Sequence, residues 1–238
     1  MLFRSVLVCL SDAAVYAGAS ASVCEMLHKK YVTSVAFTGA AAAADVAQSR
    51  PAKEQDMNLL AKLAASQGVG YGEAIARWGF PADARAEKSV IHAAYSAAVP
   101  ATIHAEVGEM PEHLYAAARG AELGAAVGAA SYVDLLIFTE QIRRAIEDGG
   151  VVIVIGAAHR FARLLEQAAR AAETTVSKTG RFCVCVVDRF LPEDDLPTVK
   201  QYGAVGFLFR GSLNSYALNL LQACDAVYSG SVPNEFKK

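Results

Sequence analysis

The sequence predicts an α/β fold, a Rossmann-like parallel sheet with helices on both faces. Three observations carry this. Short apolar runs alternate with longer helical patterns along nearly all of the 238 residues, and strand–helix alternation builds parallel sheets. The run Val151–Ile155 is apolar at every position, as in a strand buried on both faces. The stretch 34–45 passes from an apolar strand through Thr38-Gly39 straight into a helix, which is how such sheets present backbone N–H groups to a ligand.

The elements follow in order. Ser5–Leu10 reads as a strand, because its apolar run ends at Ser11-Asp12, too early for the apolar core of a secretory signal. Ala13–Lys30 reads as a helix capped by Ser11 or Asp12. Val32–Phe37 is the second strand and Ala40–Gln48 the second helix. A polar connection, Arg50–Asp56, contains Pro51, and Met57–Gly68 is helical. Gly68–Pro81 carries four glycines with Tyr71, Trp78 and Pro81, so it reads as an irregular or partly helical excursion. Asp83–Ala98 is a helix, Ala101–Val107 a strand, and Gly108–Ala117 a polar loop or short helix. Ser131–Glu147 is a helix with Asp148-Gly149-Gly150 as its stop signal. After the strand Val151–Ile155 come a helix at Ala157–Glu173, strands at Arg181–Val187 and Val205–Phe209, and a closing helix at Ser212–Ser229. Residues 1–230 read as a single domain, since no Pro-, Gly- or Ser-rich linker divides them, and 231–238 as a polar tail.

Composition narrows the function classes. The formal net charge is −2 with no basic block, which excludes nucleic acid as the expected partner. The apolar fraction is 54%, much of it alanine, which favours close helix packing and burial against copies of the same chain in a homo-oligomer. Cys9, Cys24, Cys183, Cys185 and Cys224 are odd in number and lie on strands and helices, as reduced thiols of a cytoplasmic protein do. Cys183 and Cys185 alternate with valines and share one strand face. No segment has the ~20 uninterrupted apolar residues of a membrane span. Gly124–Ile137 comes nearest and is interrupted by Asp134 and its glycines, so no membrane is expected.

In a sheet of this kind ligands bind beyond the carboxyl ends of the strands. Four strand ends gather polar or small residues: Ser11-Asp12, Thr38-Gly39, His104 through Glu109, and Gly156 through His159. Neither a G-x-G-x-x-G fingerprint nor a G-x-x-x-x-G-K-[ST] loop is present, which leaves backbone amides at Gly39 and Gly156 as the route to a phosphate. His104 is either a group that binds ligand and moves protons or a buried, hydrogen-bonded ring, and His159 has the same two readings. His28 and His92 sit at helix surface or packing positions. His104, Glu106, Glu109 and His113 match no metal-ligand spacing, and no metal is expected. A G-x-S-x-G nucleophile elbow is missing. Lys178 and Lys200 fall in polar loops, and Glu193-Asp194-Asp195 forms a solvated acidic loop.

Taken together, these segments resemble the deoxyhypusine synthase family, nearest to its bacterial synthase-like members, from roughly Phe3 to Cys224. Ser11-Asp12-Ala-Ala-Val-Tyr-Ala-Gly18 is similar to the family's Thr-Ser-Asn-Met-Ile-Ser-Ser-Gly turn. Val35–Asp45 is similar to its strand, Thr-Ala-Gly-Gly turn and acidic helix start. Pro100-Ala-Thr-Ile-His-Ala-Glu-Val-Gly-Glu109 is similar to its Pro-Ala-Leu-Thr-Asp-Gly-Ser-Leu-Gly-Asp, and Val151–His159 to its apolar strand ending in glycines and a histidine. The resemblance implies a Rossmann-like subunit in a homotetramer, with NAD between subunits. It implies a transferase that moves the aminobutyl group of spermidine, through an imine on a lysine, to a lysine of a translation factor.

The departures fall on that chemistry. The family's polyamine-holding acids align with Ala43 and Ala44, and its Asp with His104, while Gly108-Glu109 keeps the later acid in kind. The lysine motif is replaced by Thr198-Val199-Lys200-Gln201-Tyr202-Gly203. An imine needs a lysine of lowered pKa against the substrate, so the family's own reaction is not expected. The expectation is a deoxyhypusine synthase-like protein that binds NAD or a small cationic metabolite. Ser11, Thr38, Gly39, Asp45 and Gly156 would contact the cofactor. His104 or His159 would be the acid/base and Glu109 the group for a cationic substrate. Two alternatives stand beside it: a non-catalytic structural or regulatory paralogue, favoured by the alanines at 40–44, and an unrelated small-molecule enzyme on the same sheet.

Overall fold

The computed structural model describes residues 5–49, 54–80, 86–106, 109, 120–173, 182–189 and 205–229. Among them, six strands form one sheet: β1 (Val6–Leu10), β2 (Ser34–Thr38), β3 (Ala101–His104), β4 (Val151–Ile155), β5 (Cys183–Asp188) and β6 (Val205–Arg210). Their order is β3-β2-β1-β4-β5-β6, and every pairing is parallel. This is the doubly wound Rossmann order, as the strand–helix alternation predicts. The chain runs outward from β1 to β3, then crosses to β4 on the other side of β1. The order therefore reverses between β1 and β4.

The helices are α1 (Asp12–Tyr16), α2 (Ser20–His28), α3 (Gly39–Ser49), α4 (Glu54–Gln67), α5 (Tyr71–Trp78), α6 (Val90–Ser96), α7 (Gly120–Asp148), α8 (Ala158–Glu173) and α9 (Leu213–Tyr228). Successive strand residues point to opposite faces. Val8, Leu10, Ile153 and Ile155 join a core with α1, α2, α3 and α6. Leu7, Cys9, Val152 and Val154 join a second core with α7 and α8. That two-sided burial explains the unbroken apolar runs of β1 and β4.

Several elements differ from expectation, each for a local reason. The helix expected over 13–30 is two helices, because Gly18 adopts φ +89° and turns the chain. Gly68–Pro81, read as irregular or partly helical, takes the second form: it contains α5, whose first turn is held by Asp134 of α7. The helix expected at 131 begins already at Gly120. Gly124 and Gly128 cost it about 1 kcal/mol each relative to alanine, which packing against α4, α8 and β3 offsets. Of the helix expected over 83–98, residues 86–88 form a 3-10 turn and Ser89 caps α6. β3 stops at His104.

Among the described residues α7 alone is long and apolar enough to cross a membrane by length and composition. Here it lies along β3 and α8 with Asp134 fully buried. All five cysteines are free thiols, and Cys183 and Cys185 bring their sulfurs to 3.8 Å on one face of β5. His113, Lys178, Lys200, the acidic loop 193–195 and the tail 231–238 lie outside the described residues.

Candidate functional site

At the reversal between β1 and β4, the two strand ends touch. Ser11 caps α1, its Oγ accepting the Ala14 N–H at 3.2 Å, and its own N–H donates to the Ile155 carbonyl at 3.1 Å. Gly156 follows with φ +74° and Ala157 with φ +51°. A Cβ on Gly156 would collide with Ser11 Oγ, so only glycine allows this approach. The first turn of α8 is closed by Asp188, whose Oδ2 accepts the Ala158 N–H at 3.1 Å.

The end of β2 is built differently. Thr38 caps α3, its Oγ1 accepting the Ala41 N–H at 3.1 Å. The Gly39 N–H donates to Glu109 Oε2 at 3.1 Å, and the Glu106 N–H donates to the same oxygen at 3.0 Å. The other Glu109 oxygen pairs with the Arg160 guanidinium, which also lies 3.7 Å from Glu106. The Glu109 side chain is only 3% exposed. It places a carboxylate where the helix dipole and free amides favour an anion. Expected to meet a cationic substrate, Glu109 instead binds a cation of its own chain. Arg160 was missed in the sequence, although it is the neighbour of His159 at a helix start.

Beside this knot lies a pocket of about 300 Å³. Thr38 and His104 line it from the strand ends, Ser131 and Leu135 from α7, and Arg160 and Arg163 from α8. The His104 ring meets the Phe138 ring edge-on at 4.8 Å, and its Nε2 lies 3.1 Å from Thr102 Oγ1. Burial pushes its pKa down to about 3. Burial therefore favours the neutral ring, which can donate or accept a hydrogen bond. His159 is exposed on the first turn of α8 and does not line the pocket.

The structure thus brings Thr38, Gly39, His104 and Glu109 together on one side, and Ser11 with Gly156 at the reversal. Asp45 joins neither group. It is fully buried, and its carboxylate accepts the Ser89 hydroxyl, the Val90 N–H at 2.9 Å and the Ile91 N–H at 3.2 Å. It caps α6, and burial pushes its pKa up to about 6. Asp134 plays a similar part. Its Oδ2 accepts the Gly72 N–H at 3.0 Å and the Ile103 N–H at 2.8 Å, joining α5, β3 and α7. Burial pushes it up to about 7. The signal in the sequence was a single acid inside an apolar helix. No three His, Cys, Asp or Glu side chains among the described residues could hold a metal.

Strand order, crossover and edge together define a Rossmann-like α/β protein. No family model matches the sequence, and no curated protein is similar to it. Solved structures are similar in fold. One is the apo form of ArgZ, an arginine dihydrolase from the ornithine–ammonia cycle in cyanobacteria (TM-score 0.53, 12% identity, 92% of this chain and 29% of that one). Another is a conserved LOR/SDH protein from Methanococcus maripaludis (0.55, 11%, 95% and 62%). A third is AgrE in complex with ornithine and NAD+ (0.53, 11%, 95% and 31%). The chain spans less than two thirds of each of these proteins, and at such identities the likeness is one of fold.

These neighbours overturn the deoxyhypusine synthase resemblance, and with it the ground for a homotetrameric transferase. The physical reason is plain. An apolar strand, a turn of small residues and a helix start recur in every unit of a doubly wound sheet, so matching several of them in order identifies the architecture and not the family.

Proposed function

We propose that the protein is a small-molecule enzyme that binds NAD along the carboxyl edge of its sheet. The observation that carries this reading is the left-handed pair Gly156-Ala157 packed on Ser11 where the strand order reverses. Ligands of doubly wound sheets bind at that point. A non-glycine residue with positive φ stores strain that persists where geometry serves a function. The edge fits a dinucleotide in shape. Ser11, Gly39, Gly156 and Ala157 are all small, so the backbone can approach a diphosphate closely. The NAD+ complex of AgrE, a fold neighbour, supports the same reading. When bound, NAD supplies hydride transfer, while Ser11 and the Gly156 turn would hold it.

Thermal shift and calorimetry with NAD+ and NADH test this. Saturation to a hundred times the dissociation constant stabilises the fold by about 2.7 kcal/mol, a readable rise in Tm. Gly156→Val, which drives a side chain into Ser11, abolishes the rise, and Ala157→Gly keeps it. Unchanged melting in millimolar NAD+ and NADH refutes the proposal.

A further inference from the structure

We infer that the pocket enclosed by β2, β3, α7 and α8 binds a small monocarboxylate with an apolar body. Its volume, about 300 Å³, suits a metabolite. The inference stands apart from the nucleotide reading, since it rests on the walls of this pocket alone.

Charge comes first. Arg160 is tied to Glu109 and Glu106. Arg163, one turn further along α8 and on the same wall, has no ion-pair partner among the described residues. Glu106 and Glu109 balance the two arginines in number, but both are held by Arg160, which leaves the planar fork of Arg163 free to meet a carboxylate. A phosphate dianion would ask for a second free cation, and Arg160 is already neutralised.

Hydrogen bonding comes next. Ser131 lines the pocket from α7, and its hydroxyl is shielded from solvent and has no hydrogen-bond partner among the described residues. A buried hydroxyl left unpaired is costly, and a ligand oxygen would satisfy it. Glu106 also lines the pocket, beside Arg160, and the rest of the wall is uncharged or apolar, with the neutral His104 ring, Leu135, Phe161 and Leu164. Such surface takes an aliphatic or aromatic body. A free guanidinium, an orphan hydroxyl and a largely apolar wall together describe a monocarboxylate.

Calorimetric titration of the full chain with benzoate tests the inference, with benzamidine as a cation of the same shape and acetate as the head group alone. Benzoate binds in the millimolar range or tighter, acetate binds at least about tenfold more weakly, and benzamidine does not bind. Arg163→Gln, at an exposed position, keeps the melting temperature and weakens benzoate about tenfold or more. Ser131→Ala weakens it severalfold. The inference is overturned by any of three results: no heat with benzoate, equal binding of benzamidine, or unchanged benzoate affinity in Arg163→Gln.

Discussion

Asp134 sits wholly inside the protein and ties two elements, α5 and β3, to its own helix by their backbone amides. Its native pKa, about 7, lies above the value near 4 of an unfolded aspartate. Between those values the native state binds more protons than the unfolded chain, so stability falls as pH rises from 4 to 7. Asp45 acts in the same direction up to about pH 6. His104, held near 3, acts oppositely between 3 and 6.5, so one acid's worth of slope remains. Urea unfolding at several pH values should show it, and Asp134→Asn should flatten the slope between pH 5 and 7.5. Glycines make a second prediction. A Cβ at Gly72 would run into the Ala101 backbone carbonyl, which cannot swing aside as a side chain does. Gly72→Ala should therefore cost about 3 kcal/mol in chemical denaturation, whereas Ala157→Gly, which relieves a positive φ, should cost nothing. At this scale the sequence was read unevenly. Asp45 and His104 looked like chemistry because they are polar residues near strand ends, but burial turned one into a helix cap and the other into a neutral wall. Only their surroundings in space decide that.

The helices show what a carboxylate from afar can do. α3, α5, α6 and α8 each have first-turn amides answered by an acid from another part of the chain: Glu109, Asp134, Asp45 and Asp188. Glu109→Ala should destabilise the protein by about 2 kcal/mol, and hydrogen exchange at the Gly39 amide should quicken more than at amides in the middle of α3. This pattern also explains which elements were legible. β1, β2, β4 and their neighbours announce themselves by apolar runs. α5 did so only in part, because four glycines in 68–81 argue against a helix locally and the residue that holds its first turn lies 62 positions away. The early start of α7 was hidden by Gly124 and Gly128 for the same reason: neighbours in space, not propensity, settle the matter.

For the molecule as a whole, architecture could be read from alternation, but kinship could not, because the pieces compared were those every doubly wound sheet repeats. The site was partly legible in the same way. Strand ends were found, while the Glu109–Arg160 pair that occupies one of them joins segments no motif connects. The sheet is also strongly interdependent. A chain ended after residue 119 keeps β1, β2 and β3 but loses α7 and β4, and should show no cooperative thermal transition by circular dichroism. That dependence has a consequence for synthesis. β1 ends up at the centre of the sheet, with Val6 beside Val151. At about 5–20 residues per second, the ribosome takes seconds to deliver β4 after β1 has emerged. Through that interval one edge of a wholly apolar strand is unpaired. The growing chain is then most exposed to self-association, and a slow stretch of translation between β3 and β4 would lengthen the hazard.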